Sequence, residues 1–183
     1  MGVKLRKVQE SDLEKIRKWR MDPNVTKYMY SDPVLTPEMQ KQWFEKIDKD
    51  ESCKYWVISF DGRDIGLLNI TDIDNKNKRC EWAYYIADTS LRGKGFGRLL
   101  ECNIYDYVFD SLKMNKLCCE VFCFNEKVIA IHEKFGSEVE GTRKQHIYKD
   151  GIFYDIVEMA ILREKWEHIR QDYTYDKIEI EEF

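Results

Sequence analysis

Histidine and proline are scarce in this 183-residue chain, at three residues each. Six cysteines are present, none spaced C-x-x-C, and with so few histidines they do not make a zinc site, so no metal is expected. No apolar run approaches the ~18 residues of a bilayer span, and the N-terminus has no apolar signal core. The chain therefore reads as cytoplasmic and without a membrane partner. Thirty lysines and arginines stand against 34 acidic residues, a net charge of −4, and the positive residues are scattered rather than gathered into a stripe. That distribution argues against a nucleic-acid partner.

What remains is the composition of a globular protein, 43% hydrophobic and 35% charged, long enough to bury a substantial core as one domain. Val3 to Val8 reads as a strand. Ser11-Asp12-Leu13-Glu14 reads as a capping box for a helix with Leu13, Ile16 and Trp19 on one face, ended by Asp22-Pro23. Thr36-Pro37 opens a second helix, whose stripe of Met39, Trp43, Phe44 and Ile47 is expected to be buried. Two strands flank Asp61-Gly62 as a hairpin, and a tyrosine-bearing strand runs from Arg79 to Ala87. A third helix starts at Phe96. A strand from Leu117 to Phe124, a short helix from Val128 to Phe135, and two last strands about Asp150-Gly151 complete the pattern. The order gives a mixed α/β sheet with helices covering its faces. Residues 164–183, a short polar helix and an acidic tail, lack core periodicity and read as frayed or partner-dependent.

The turn Arg92-Gly93-Lys94-Gly95-Phe96-Gly97 carries the most chemistry. Its glycines leave consecutive amides unshielded, and the helix that follows offers unpaired N–H groups and a partial positive charge. Arg92 and Lys94 add formal charge, so the turn suits a phosphate or pyrophosphate. It is neither G-x-G-x-x-G, since Leu100 stands where the third glycine would fall, nor a P-loop. Taken alone, a plain flexible turn stays equally open.

Downstream, Asn125 is followed by Ala130-Ile131-His132-Glu133-Lys134-Phe135-Gly136. Together with Arg92, Gly95 and Gly97 and the element order, these residues resemble the GNAT family of N-acetyltransferases. The resemblance implies a single-domain GNAT fold over residues 1–163, with a mixed, mostly antiparallel sheet splayed between the fourth and fifth strands and helices on both faces. It implies acetyl-CoA as co-substrate, its pyrophosphate on residues 92–97 and its pantetheine arm along Tyr84, Tyr85 and Ile86, with Asn125 and Lys134 in contact. The tyrosine that protonates the departing thiolate in much of the family is replaced here by His132. That histidine is either the acid or a packed, pantetheine-contacting side chain, with Tyr84, Tyr85 and Tyr154 as substitutes. Glu81 is the candidate base through a water, or else a cross-sheet ion-pair partner.

The resemblance also implies that Tyr28, Met29 and Tyr30 line the acceptor pocket. Trp19-Arg20-x-Asp22-Pro23-x-Val25 is similar to the group that acetylates ribosomal proteins, spermidine and amino sugars. The stretches 132–136 and 140–147 and Asp72-Ile73-Asp74 look like enzymes that acetylate the 4-amino group of a UDP-linked dideoxy sugar, with Arg143 and Tyr154 as candidate nucleotide contacts. A polyamine or protein N-terminal amine is the alternative acceptor, and a non-catalytic CoA-binding protein the alternative class. The expected partner is a small-molecule amine, with a homodimer as a possible assembly.

Overall fold

Asp61 and Gly62 close the first hairpin with φ of 49° and 77°, and Asp150 and Gly151 close the last with 51° and 78°. Both dipeptides suit the left-handed positions of a two-residue turn. The computed structural model describes residues 2–183. It is a mixed eight-stranded α/β structure with strand order β6-β7-β5-β4-β3-β2-β1-β8, numbered along the chain. The chain forms two compact units. One holds the chain up to Ile73, Ala83–Arg92 and Ile178–Phe183; the other holds Asp74–Trp82 and Gly93–Lys177.

In the first unit, β1 (Val3–Lys7), β2 (Lys54–Phe60) and β3 (Arg63–Asp74, through Ile73) pair antiparallel, and β8 (Glu179–Ile180) adds a parallel edge to β1. Helices α1 (Leu13–Arg20) and α3 (Pro37–Lys49) cover these strands. Ile16, Val57 and Leu67 form a buried cluster there, with Trp19, Trp43, Tyr55 and Tyr85 packed around it. The capping box falls two residues earlier than the sequence suggests. The Gln9 N–H donates to Asp12 Oδ2 (2.9 Å) across a 3-10 turn, and α1 starts only after it. Asp12 is buried, and both terminal nitrogens of Arg6 hold it at 2.7 and 2.6 Å, while Arg6 also binds Asp64 (2.7 Å). Burial opposes the charge on Asp12, but Arg6 outweighs it and keeps the carboxyl below its ordinary range. Nor does the chain leave helix at Pro23. Asp22 accepts from the Asn24 N–H (2.8 Å), and the short α2 (Pro23–Thr26) follows. Thr36 caps α3 as expected, accepting from the Met39 N–H (3.2 Å), but Met39 is 47% exposed and Gln40 is the buried residue at 4%.

The fourth strand, β4 (Arg79–Ile86), contributes Ala83–Ile86 to this unit. Ile58 pairs with Gly66 and Ser59 with Asp64, so Ile65 is the extra residue of a β-bulge. The bulge turns the Ile65 carbonyl outward, where it accepts from the Ala87 N–H (2.7 Å) and Asp88 N–H (3.3 Å) and ends the strand. Next to it, Gly66 lies directly against the backbone of Tyr85. A Cβ at residue 66 would overlap the Tyr85 carbonyl oxygen and come within 3.1 Å of Ile86 Cα.

In the second unit, Arg79–Glu81 of β4 pair in parallel with Lys116–Cys118 of β5 (Lys116–Phe122), and β5 pairs antiparallel with β7 (Ile152–Leu162) along its whole length. β6 (Glu138–Lys149) forms the edge against β7. Helices α4 (Phe96–Asp106) and α5 (Glu126–Lys134) pack on each other. A π-helical turn, Tyr107–Ser111, follows α4.

The tail is ordered rather than frayed. Trp166 of α6 (Arg163–Ile169) is fully buried against Tyr105, and Tyr173 Oη donates to the Lys134 carbonyl (2.8 Å). Lys177 pairs with Asp106. In the first unit, Trp56 Nε1 donates to the Glu181 carbonyl (2.8 Å), and Phe183 packs edge-on against the Trp56 ring. Aromatic burial and ion pairs hold a segment whose sequence shows no helical or strand period.

The Gly66 contact gives a direct prediction. Gly66→Ala forces backbone apart and is expected to destabilise the protein by about 3 kcal/mol, read from the urea midpoint at constant m. An unchanged midpoint would show that the strands do not depend on this approach.

Candidate active site

A cavity of about 370 Å³ opens in the first unit. Ile16 and Arg20 of α1 and Met39, Gln40 and Trp43 of α3 line it opposite Tyr55, Leu67, Asn69, Ala83, Tyr84 and Tyr85, with Met29, Pro33 and Leu35 from the connection. This explains why Met39 is not core: the stripe of α3 faces open space. Among the described residues, Arg20 is the one formally charged member of the lining. Asn69 Oδ1 accepts from the Ala83 N–H (3.0 Å), so a side chain satisfies that amide. Burial pushes the Tyr85 phenol well above its ordinary value, with Arg20 acting in the opposite direction, so it stays protonated at neutral pH.

At the end of β4 the chain passes Thr89–Leu91, a 3-10 turn capped by Asp88, and reaches Arg92. The Arg92 guanidinium folds back onto carbonyls, donating to Asn24 (2.9 Å) and Ile86 (3.3 and 3.1 Å).

In the second unit, Gly93 and Gly95 take φ of 77° and 88°, with Gly95 as the left-handed N-cap of α4. Open space lies over both positions, so the main chain there is bare. Lys94 is exposed, and Phe96 and Gly97 are half-buried. Asn125 is the N-cap residue of α5, and its carbonyl accepts from Val128 (3.0 Å) and Ile129 (3.2 Å). Lys134 is exposed at the end of that helix.

His132 lies inside the second unit, 5% exposed, its Nδ1 2.7 Å from Oε1 of the fully buried Glu101. The two atoms are off the line of a hydrogen bond, so charge is what joins them. Tyr105 Oη donates to Glu101 Oε2 and lies 3.0 Å from Ser137 Oγ. The Trp82 ring packs edge-on against both Tyr105 and His132. Burial alone would lower the His132 pKa, but the charge of Glu101, with a smaller contribution from Cys119, raises it to about 10.

The remaining expected residues are spread out. Met29 lines the cavity, whereas Tyr28 and Tyr30 are exposed. Tyr154 packs edge-on against Phe122 and Phe124. Arg143 is engaged by Glu120 (3.1 Å) and Glu158, and Glu81 lies within the electrostatic reach of its guanidinium. Sequence reasoning missed Glu101, Arg20, Gln40 and Asn69. A signal existed for Glu101: it sits in a stretch, Leu100–Tyr105, that is buried on every side. A carboxylate there requires a partner.

Among the described residues, no group of three or more His, Cys, Asp or Glu is placed to hold a metal, and no helix is long and apolar enough to cross a membrane. Residues 3–138 match the family described as Acetyltransferase (GNAT) domain. The chain belongs to this family and is a GNAT N-acetyltransferase with acetyl-CoA as co-substrate. It is similar to spermidine N(1)-acetyltransferase of Escherichia coli, 27% identical over 90% of this chain and 88% of that one. Acetyltransferase PseH of Campylobacter jejuni is 30% identical over 72% of this chain and 82% of its own. The fold matches the structure of Vibrio cholerae spermidine N-acetyltransferase in complex with CoA and spermine, with a TM-score of 0.85 at 24% identity, covering 91% and 98% of the two chains.

The buried pair makes stability depend on pH. The folded pKa of His132 lies above the ordinary 6.5, so the stabilisation is fully present below pH 6.5 and is lost as pH rises through about 10. Tm measured from pH 6.5 to 10 should fall in the wild type and fall less in the Glu101→Gln/His132→Gln double variant. Parallel curves would mean that the pair carries no linked proton.

Proposed function

We propose that this acetyltransferase acts on the 4-amino group of a UDP-linked deoxy amino sugar. The observation that supports this is the cavity lining, which among the described residues holds one arginine, several amide and phenol groups, and no carboxylate. A polycation in such a lining would meet Arg20 and nothing to neutralise it, whereas a diphosphate or polyhydroxyl acceptor finds a cation and hydrogen-bonding groups. A polyamine is the second reading, favoured by similarity to spermidine acetyltransferases over 90% of the chain.

The bare, left-handed main chain at Gly93 and Gly95 fits the donor's diphosphate, with amides of residues 92–97 and Lys94 as its holders. In this reading Arg92 braces the turn through its carbonyl contacts, and Tyr84, Tyr85 and Ile86 offer main-chain groups to the pantetheine arm, with Asn125 and Lys134 as further contacts. Acetyl-CoA supplies an activated thioester: an amide bond forms at the amine, the carbon–sulfur bond breaks, the amine loses a proton and the sulfur gains one. An ordinary alkyl ammonium near pKa ~10.4 cannot attack, so a base is needed, and Glu81 acting through water is the proposed one. His132, with Tyr84 as substitute, is the proposed donor to sulfur. Arg20 takes the role of acceptor diphosphate contact ahead of Arg143, whose charge is already engaged by two glutamates. A cytoplasmic setting belongs to the same proposal and suits the six free thiols.

Thiol release from acetyl-CoA should be measured with a UDP-4-amino-4,6-dideoxy sugar, spermidine and an alanine-starting peptide. The sugar nucleotide is expected to give the highest kcat/KM, and Arg20→Leu to lower that value about 10-fold or more with KM for acetyl-CoA unchanged. A rate confined to spermidine or the peptide would replace the sugar reading. Bound CoA with no release for any amine would leave only a binding protein.

A further inference from the structure

Glu101 is fully buried and carries no role in the family resemblance, yet it sits 2.7 Å from the one histidine of α5. An ionised carboxylate with no exposure needs a counter-charge, and the surroundings of His132 offer few rivals. Glu101 faces it from α4 and Cys119 from β5, with the Tyr105 hydroxyl on the far oxygen of Glu101, while Trp82 contributes only its ring. Tyr105 has its hydroxyl on the second oxygen of Glu101 and on Ser137, which holds one carboxylate oxygen and leaves the other facing the imidazole as its counter-charge. The Ser137 N–H in turn donates to the His132 carbonyl (3.0 Å), closing a ring of contacts across α4, α5 and the start of β6.

We propose that Glu101 is the positioning residue of this acetyltransferase, keeping a proton on His132 and fixing the imidazole for use as the donor. The inference rests on the reading of His132 as proton donor given above. Its content is that the substitution of histidine for the family tyrosine works only with a carboxylate beneath it. A free imidazole loses its proton near pH 6.5, below much of the range in which an alkyl amine becomes a nucleophile. With Glu101 beside it, His132 stays charged where the amine is reactive, as a phenol would stay protonated. Burial of the pair also keeps water from competing for that proton.

The three histidines, His132, His146 and His168, make the test direct. The Cε1–H resonance of His132, assigned with His132→Gln, is followed through pH 5–11 in wild type and in Glu101→Gln. Alongside it, the alkaline limb of kcat is recorded with whichever amine the wild type accepts, so a wrong acceptor leaves the test intact. The expected result is a wild-type midpoint near 10 that drops by about two pH units or more in Glu101→Gln, with the limb of kcat moving by the same amount. A wild-type midpoint near the ordinary ~6.5 overturns the proposal whether or not Glu101→Gln folds. A midpoint that moves while the kcat limb stays also overturns it, because the pair is then structural only. A wild type that turns over no amine defeats the catalytic reading itself and is recognised without any variant.

Discussion

Strand β4 approaches β3 at Tyr85 only because residue 66 has no side chain. Much of the first unit's chemistry follows from that contact. The bulge at Ile65 spends one residue to turn a carbonyl toward Ala87 and Asp88, which ends the ladder at a defined place. Beyond it the chain is held by Asp88 capping the 3-10 turn and by Arg92 reaching back to the Ile86 and Asn24 carbonyls. Ala83 is held by the Asn69 side chain instead of a ladder carbonyl. Four separate devices thus fix ten residues of backbone, Ala83 to Arg92, and one glycine makes the first of them sterically allowed. Such precision in a strand end is what a site working through main-chain groups requires, because a shift of 1 Å in those groups disrupts every bond they offer.

The second unit solves a different problem, that of charge in an apolar interior. Replacing a buried ion pair with apolar residues often leaves stability unchanged or raises it, so Glu101 and His132 are not there for stability alone. The cluster also makes little use of solvent: Tyr105, Ser137, Cys119 and Trp82 enclose it, and all are at most 5% exposed. Charge of both signs in so dry a place is strongly felt, and that is the setting in which a carboxylate changes what an imidazole does. The same helices carry Gly95 at the start of α4 and Asn125 at the start of α5, so the pair also ties together the elements that begin at those two residues.

Much of this was legible in the residues. Both Asp-Gly turns, the Thr36 cap, the order of strands and helices, and the glycine turn followed from local rules, because those features depend on φ preferences and nearest neighbours. The errors share a cause. The capping box moved from Ser11 because Arg6, which also binds the sequence-distant Asp64, claims Asp12. Met39 left the core because a cavity, not a neighbour, faces it. The tail reads as frayed or partner-dependent from sequence because its anchors, Trp166, Tyr173, Lys177 and Phe183, are single residues with no period. In the sequence Glu101 is one more charge on a helix. Only its flanking buried residues on both sides mark it, and that pattern is visible once the helix is known to be enclosed.

The acceptor question turns on how charge is distributed rather than how much there is. A net charge of −4 is compatible with a polyamine, and the overall similarity to spermidine acetyltransferases points the same way. Recognition of a polycation, though, is local: each ammonium must be met within a few ångströms by a carboxylate or lose its hydration uncompensated. The acidic groups nearest in character, Glu120 and Glu158, are occupied by Arg143 in the second unit, while the cavity of the first is lined by Arg20, Gln40, Asn69 and phenols. In the sugar-nucleotide reading proposed above, the lining selects among the reactions the fold supports; its single formal charge is positive, so discrimination against a polyamine would be electrostatic and should weaken as salt screens it, whereas selection by shape would not.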